Sequence, residues 1–502
     1  MTHVHVVVER NIRIAVEGNR MLQVTSFETS NISSEIRKAL NVLGYKQPTP
    51  VQSLVLTQGI AEYDLCVKAK TGSGKTAAYG IPICNCVDWK INAPQALVIV
   101  PTRELAVQIG EELALIGKFK RIHVATIFGK MSISEQELTL KQKTHIVVGT
   151  PGRILDLIQR ESLKTDQLKT IVVDEADEMF FIGLRAQVEA ILESIHTLHR
   201  TLLFSATLSE EIVELASSHM NKIKTLEVME EESEEMEIVQ SAILTTEFEK
   251  AKLLDYILLE KNPDSCMIFA NTQETVDRIC NKMKEKGYPC KKLHGGLKQK
   301  DRLRVMEQFK RKQFRYLVVT DVAARGIDIK EISLVINYDL AKGPENYTHR
   351  IGRTGRNKAS GEAITFYTEK ETSRMREIES AMAQDISRIK PDFSKDFSKQ
   401  KEELQKKLQT KPKEEAKKGA AIKSEVMKLH INAGKKSKIR TCEIVASICG
   451  IDGVVADDIG VIQITETATF VEILNKKGSL VLKELPKKTI KGRNRKVHRA
   501  KE

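Results

Sequence analysis

The sequence predicts an α/β protein with two successive parallel-sheet domains and a small α+β domain after them. Three observations carry this. Short β-branched runs alternate with amphipathic segments from about residue 64 to 207, the same rhythm restarts at about 266, and a smaller αβ pattern begins beyond Met427. The length of 502 residues also fits about three domains at roughly 150 residues each.

In the first domain, assigned to residues 26–226, the expected strands are Leu65-Cys66-Val67, Leu97-Val98-Ile99-Val100, His145-Ile146-Val147-Val148, Ile171-Val172-Val173 and Leu202-Leu203-Phe204. Each is apolar on both faces, as buried parallel strands are. Leu105, Ile109, Leu113 and Ile116 recur at helical spacing between them. The second domain, 238–385, repeats the pattern with Cys266-Met267-Ile268-Phe269, Leu317-Val318-Val319, Leu334-Val335-Ile336 and Ala363-Ile364-Thr365-Phe366. Its helix lined by Val276, Ile279, Cys280 and Met283 ends at Gly287.

An acidic stretch, 227–237, with Glu230, Glu231, Glu232, Glu234 and Glu235, reads as a solvated hinge between the two. Residues 386–424 are dense in Lys, Gln and Glu, and form either a helix extending the second domain or a loose tether. The third domain, 425–502, has expected strands at Leu429-His430-Ile431, Val461-Ile462-Gln463-Ile464 and Phe470-Val471-Glu472-Ile473, and a helix from Glu443 to Cys449. It ends in a basic tail carrying Lys487, Lys488, Lys491, Arg493, Arg495, Lys496, Arg499 and Lys501. Residues 1–25 form an N-terminal extension with no assignment.

Lys and Arg number 80 against 67 Asp and Glu, a net charge of +13, which attracts polyanions. Nucleic acid is the leading partner and an anionic membrane the rival. No apolar run approaches the roughly 18 residues of a membrane span, so no membrane partner is expected. Met1 to Arg20 lacks the apolar core of a secretory signal, and Glu9 and Glu17 are out of place in a mitochondrial presequence. Eight cysteines without a CxxC pair read as reduced thiols of a cytoplasmic protein.

Ala69-Lys70-Thr71-Gly72-Ser73-Gly74-Lys75-Thr76 follows a strand and opens a helix, where backbone N–H groups wrap a triphosphate. Gly72 and Gly74 permit the turn, Lys75 reaches the β- and γ-phosphates, and the Thr76 hydroxyl coordinates Mg²⁺. Asp174-Glu175-Ala176-Asp177 ends a strand at the carboxyl edge of the sheet. Asp174 holds Mg²⁺ through its water shell, while Glu175 orients and deprotonates the attacking water. In the second domain His349-Arg350-Ile351-Gly352-Arg353-Thr354-Gly355-Arg356 sets two arginines, Arg353 and Arg356, three apart among glycines, suited to neutralising charge on a transferred phosphoryl group. The competing reading for each segment is an ordinary turn.

With these segments the chain resembles the DEAD-box RNA helicases from Phe27 to about Thr368. The further motifs are Gly44-Tyr45-Lys46-Gln47-Pro48-Thr49-Pro50-Val51-Gln52, Pro101-Thr102-Arg103-Glu104-Leu105, Thr150-Pro151-Gly152-Arg153, Ser205-Ala206-Thr207, Phe269-Ala270-Asn271-Thr272, Gln299-Lys300-Asp301-Arg302 and Thr320-Asp321-Val322-Ala323-Ala324-Arg325-Gly326-Ile327-Asp328. The resemblance implies two RecA-like domains that close on ATP and RNA, with Arg353 and Arg356 as arginine fingers. It implies ATP contacts at Phe27, stacked on the adenine, at Tyr45, at Gln52 on the adenine edge, at Thr71 to Thr76, and at Asp328 on the ribose. Arg103, Gly129, Thr150, Arg153, Thr272, Arg302, Thr320 and Gly326 are the implied RNA track, and Ser205, Thr207, Asp177 and His349 the implied coupling residues. One position departs from the family, which usually has two glycines where this chain has Gly129-Lys130.

Beyond Met427, Leu429-His430-Ile431-Asn432-Ala433-Gly434, Lys438-Ile439-Arg440 and Asp458-Ile459-Gly460 are similar to the C-terminal, ferredoxin-like RNA-recognition domain of the bacterial helicases called DbpA. That likeness implies a hairpin of large-subunit ribosomal RNA as target, and a monomer acting on large-subunit precursors during ribosome assembly. Phe470 is the one aromatic where base stacking is expected, with His430 its nearest substitute, so polar edges and the basic tail are expected to carry recognition. A non-catalytic RNA clamp and a DNA helicase are the alternatives; the presence of Glu175, Arg353 and Arg356 weighs against the clamp.

Overall fold

The computed structural model describes residues 24–28, 30–70, 72–228, 238–324, 332–355, 361–410 and 419–500. The chain divides into two compact units, Met1–Glu230 with Lys418–Glu502, and Glu231–Lys417.

In the first unit seven parallel strands, β1 (Asp64–Lys68), β2 (Ala96–Ile99), β3 (Val124–Ile127), β4 (Ile146–Gly149), β5 (Thr170–Asp174), β6 (Arg200–Ser205) and β7 (Ile223–Glu227), lie in the order β3-β4-β2-β5-β6-β1-β7. The central strands are buried on both faces, which is why they read as continuous apolar runs. One face packs Leu65, Val98 and Val172 under helices Lys75–Cys86 and Arg103–Ile116, and the other packs Leu97, Ile171 and Leu203 under Pro151–Gln159 and Arg185–Ser194. β3 and β7 lie at the edges, where two of four and four of five residues respectively stay at least partly solvated.

The second unit repeats the plan with β8 (Val239–Leu244), β9 (Cys266–Phe269), β10 (Cys290–Leu293), β11 (Tyr316–Val319), β12 (Leu334–Asn337), β13 (Glu362–Tyr367) and β14 (Ser387–Arg388), in the order β10-β11-β9-β12-β13-β8-β14. The charged segment after it resolves in favour of a helix. Ser398–Gln409 buries Leu404 in this domain's core, Arg315 Nη2 donates to the Lys407 carbonyl at 3.2 Å, and Lys407 pairs with Asp264 at 2.8 Å.

The third domain has β15 (Met427–Ile431), β16 (Ile459–Ile464), β17 (Thr469–Ile473), a two-stranded hairpin of β18 (Thr489–Ile490) and β19 (Arg493–Asn494), and β20 (Val497–Arg499). Its sheet runs β16-β17-β15-β20, antiparallel throughout, with helices Thr441–Cys449 and Gly478–Glu484 on one face, a βαββαβ ferredoxin-like fold. The expected basic tail is not a tail. Val497 and Ile490 are buried in the domain's core, and β20 pairs with β15, because two apolar residues at a spacing of seven anchor an otherwise cationic segment. The acidic hinge lies almost wholly outside the described residues; its first member, Glu227, ends β7 and pairs with Lys68.

Candidate active site and RNA track

All strands of the first sheet run the same way, so every loop after a strand emerges at one edge. The strand order then divides that edge into two halves. β5, β6 and β1 are neighbours, which brings the Asp174 segment, Ser205-Ala206-Thr207 and the glycine loop together; β3, β4 and β2 carry Gly129, Thr150 and Arg103.

The glycine loop is held from two sides. The Ala69 N–H donates to the Ser205 carbonyl at 2.9 Å, and the Thr49 hydroxyl donates to the Ser73 carbonyl at 2.8 Å. Gln52 is buried, with Oε1 accepting the Thr49 N–H at 3.1 Å and Nε2 donating to the Gly74 carbonyl at 3.2 Å. Gly74 has φ of 97° and an added Cβ would lie 2.6 Å from Gln52 Nε2, so both backbone and space require glycine. Thr71 lies outside the described residues.

Lys75 is buried at 6 % exposure, and its Nζ has no hydrogen-bond partner among the described residues. A buried ammonium without an acceptor is costly, and it is the feature that an anion would satisfy. Asp174 is buried beside it, accepting the Tyr79 hydroxyl at 2.8 Å and the Glu175 N–H at 3.0 Å. Burial pushes the Asp174 carboxyl above the usual carboxylate range, against the pull of the Lys75 ammonium. Thr76 bonds to Tyr79 from the same turn. An oxygen pair from Thr76 and Asp174 suits Mg²⁺, and Lys75 with the loop's N–H groups suits phosphate, so the residues fit nucleotide and metal.

Glu175 adopts a left-handed conformation, φ 55°, as the residue before helix Ala176–Phe181. Lys130, Lys222 and Lys312 share this conformation, so the strain alone does not single out Glu175. Asp177, two residues on, accepts the N–H groups of Ala206 at 3.0 Å and Thr207 at 3.3 Å through Oδ2, and that of Glu178 at 3.0 Å through Oδ1. Ser205 is fully buried and its Oγ accepts the Thr207 N–H at 3.4 Å.

Phe27, expected to stack on adenine, is buried in the core with its ring edge-on to Tyr45, centroids 6.2 Å apart. The Tyr45 hydroxyl is committed to Glu112 at 2.8 Å.

On the other half of the edge, Thr102 caps helix Arg103–Ile116 through the Leu105 N–H, and Arg103 Nη2 lies 3.5 Å from where a Gly129 Cβ would be. Lys130 has φ of 61°, which explains the usual glycine there: the turn requires a left-handed residue, and lysine adopts it under strain. Arg153 donates to the Met131 carbonyl at 3.3 Å, fixing this turn against helix Pro151–Gln159, whose N-cap is Thr150.

In the second unit Thr272 caps helix Gln273–Glu285 after β9, Thr320 is buried after β11, and Arg302 sits in helix Gln299–Lys310. The residue the sequence did not single out is Arg350. It is 1 % exposed, and forks onto Asp321 with Nε to Oδ1 at 2.5 Å and Nη2 to Oδ2 at 2.8 Å. It also donates to Asn271 Oδ1 at 2.8 Å and the Asp339 carbonyl at 2.6 Å, tying three motifs into one cluster beneath Arg353, which is itself 8 % exposed. Its presence beside Asp321 in neighbouring motifs is the signal that could have found it. His349 is exposed on the same helix, Pro344–Ile351. Gly326, Asp328 and Arg356 lie outside the described residues.

Residues 49–215 match the DEAD/DEAH box helicase family model, 249–358 the helicase conserved C-terminal domain, and 428–499 the DbpA RNA binding domain. The ATP-dependent RNA helicase DbpA of Bacillus subtilis (strain 168) is 46% identical over 477 residues, 95% of this chain and 100% of the relative. The chain belongs to the DEAD-box ATP-dependent RNA helicases, of the DbpA type. The helicase is also 40% identical over 368 residues, 73% of this chain and 79% of the relative, to the DEAD-box ATP-dependent RNA helicase CshA of Geobacillus kaustophilus. S. cerevisiae Dbp5 bound to RNA and ADP BeF3 superposes with a TM-score of 0.67 at 28% identity, covering 76% of this chain and 100% of that one. The DEAD-box helicase Mss116 bound to ssRNA and UDP-BeF gives 0.64 at 28% identity, covering 76% and 81%. The helicase uses ATP and binds RNA. Among the described residues no helix is long and apolar enough to cross a membrane.

Proposed function

We propose that this helicase couples ATP hydrolysis to local separation of RNA duplexes in large-subunit ribosomal RNA during ribosome assembly, acting in the cytoplasm as a monomer. The observation that carries the catalytic part is the buried Lys75 ammonium, which has no hydrogen-bond partner among the described residues, beside the buried Asp174 carboxyl; a bound polyphosphate would satisfy the ammonium.

On this reading Lys75 and the Gly72-to-Thr76 loop cradle the phosphates, and Thr76 and Asp174 would hold Mg²⁺, which would supply charge neutralisation. Glu175 orients the attacking water and takes its proton. Arg353 and Arg356 act as arginine fingers. Gln52 reads the adenine edge by exchanging its bond to Thr49 or Gly74 for one to the base. Because Gln52 grips Gly74 directly, nucleotide recognition would shift the loop that holds the phosphates. Asp177 joins the hydrolytic segment to Ala206 and Thr207 at the end of the neighbouring strand, and with Ser205, Thr207 and His349 it would couple hydrolysis to RNA. Arg103, Gly129, Thr150, Arg153, Thr272, Arg302, Thr320 and Gly326 contact sugar and phosphate, which leaves target choice to the third domain.

A strand-displacement assay tests the reading. With ATP the full chain is expected to separate a short duplex placed beside a large-subunit ribosomal hairpin, and without nucleotide to leave it paired. Equal displacement in both conditions, or none in either, rejects it.

A further inference from the structure

Helix Pro344–Ile351 packs Tyr347 and Ile351 into one core with Val335 of β12, Ala363 of β13 and Ala242 of β8. Side chains two apart on a strand share a face, so Asn337, Thr365 and Gln240 lie on the side of the sheet that this helix covers. Polar residues interrupt an apolar face there, and Asn337, Thr365 and Tyr347 are fully buried. They form one continuous chain. Arg350 Nη1 donates to Asn337 Oδ1 at 3.3 Å, Asn337 Nδ2 to Thr365 Oγ1 at 3.0 Å, the Thr365 hydroxyl to the Tyr347 oxygen at 3.3 Å, and the Tyr347 hydroxyl to Gln240 Oε1 at 3.1 Å. Gln240 Nε2 then donates to Oε1 of exposed Gln384 at 3.1 Å.

The guanidinium sets the direction. Arg350 offers only donors, so Asn337 must turn its oxygen to it and its NH₂ to Thr365. The Thr365 proton is thereby sent to Tyr347, and the Tyr347 proton to Gln240. Burial pushes the Tyr347 phenol up to about 12, which keeps that proton in place. Each bond polarises the next in the same sense, so the loss of one loosens the rest.

This chain grips the helix at Tyr347 and Arg350, within one turn. Past Arg350 the turn runs on, with the Gly352 N–H donating to the Thr348 carbonyl at 2.9 Å and the Arg353 N–H to the Arg350 carbonyl at 3.2 Å. On the other side of Arg353, Gly355 has φ of 72°, and an added Cβ would lie 2.7 Å from Cγ1 of Ile238, two residues before Gln240. Arg353 is therefore held between two supports that both lead back to the start of β8. For stability alone apolar contacts would serve at this interface, since buried polar groups carry a desolvation cost that their bonds only offset.

We propose, resting on the reading of Arg353 as an arginine finger, that Tyr347, Asn337, Thr365 and Gln240 are positioning residues for it: their donor chain fixes where helix Pro344–Ile351 lies on the sheet, and so where Arg353 meets the transferred phosphoryl group.

Steady-state ATPase of the full chain at saturating RNA provides the test. Tyr347→Phe keeps the ring and removes the hydroxyl; kcat should fall about tenfold, the scale of a small misplacement of a catalytic group, while the ATP KM stays near the parent value. Gln240→Leu, at a half-buried position, should do the same. Gln240→Glu still accepts the Tyr347 proton and should keep kcat near the parent. In an Arg353→Ala background Tyr347→Phe should lower kcat no further, because a residue that acts through Arg353 has nothing left to place. Unchanged kcat in Tyr347→Phe, equal losses in Gln240→Leu and Gln240→Glu, or a comparable further loss in the Arg353→Ala background overturns the positioning role and leaves the finger standing. Parent turnover in Arg353→Ala alone overturns the finger, and the positioning role with it.

Discussion

Arg350 and Asp321 form a two-pronged buried ion pair, Nε to Oδ1 at 2.5 Å and Nη2 to Oδ2 at 2.8 Å, at the centre of the second helicase domain. The same guanidinium lies 5.2 Å from the Phe269 ring centroid and bonds Asn271, so it joins the ends of β9 and β12 to the helix that leads to Arg353. Its contacts are structural, whereas on the proposed reading Arg353 acts on the phosphate.

Arg350→Ala leaves the Asp321 carboxylate without its partner, which costs about 3–5 kcal/mol at a buried site. The expected outcome is a lower denaturation midpoint for the second domain in urea. Arg350→Lys should recover little, because an ammonium cannot fork onto both oxygens.

Arg353→Ala should behave differently. Turnover is expected to fall by about 10³-fold with folding and ATP affinity largely kept. If ATP affinity drops as far as turnover, Arg353 is a ground-state clamp; steady-state kinetics with an equilibrium nucleotide titration separate the two.

Lys130→Gly relieves a left-handed lysine and should raise the stability of the first domain by about 1 kcal/mol. If the ammonium neutralises an RNA phosphate, the slope of log affinity against log salt should also fall by about 0.7 to 0.9. Thermal melts and RNA titrations at several salt concentrations read both.

Removing the chain after Leu485 takes away buried Ile490 and Val497 and the strand β20, so it should unfold the third domain instead of merely weakening its RNA contacts. Replacing Lys491, Arg493 and Arg495 by Gln keeps those anchors. That variant should retain the circular-dichroism spectrum and lose salt dependence of RNA binding.

The sequence showed the central strands because burial on both faces makes them apolar throughout, as in Ile171-Val172-Val173. It did not show edge strands β3, β7, β10 and β14, where solvent permits Thr126, Lys224 or Lys291 and no run stands out. Lys75, Asp174 and Glu175 stood out because the glycine loop and the acidic tetrapeptide each adjoin the end of a legible strand. Arg350 was not, since its partners Asp321, Asn271 and Asp339 are distant along the chain. Phe27 packs edge-on to Tyr45 within the core, a contact that no spacing in the sequence marks. The folded cationic C-terminus was missed because two apolar residues among many charges give too weak a period.

The most direct test of the central claim is steady-state ATPase of the full chain, titrated with a large-subunit ribosomal hairpin and with a scrambled RNA of equal length. ATP turnover is expected to depend on RNA, with the hairpin half-saturating at least about tenfold below the scrambled strand, since base-edge contacts discriminate by about 1–3 kcal/mol each. Turnover independent of RNA, or equal half-saturation by both RNAs, would contradict an RNA helicase addressed by its third domain.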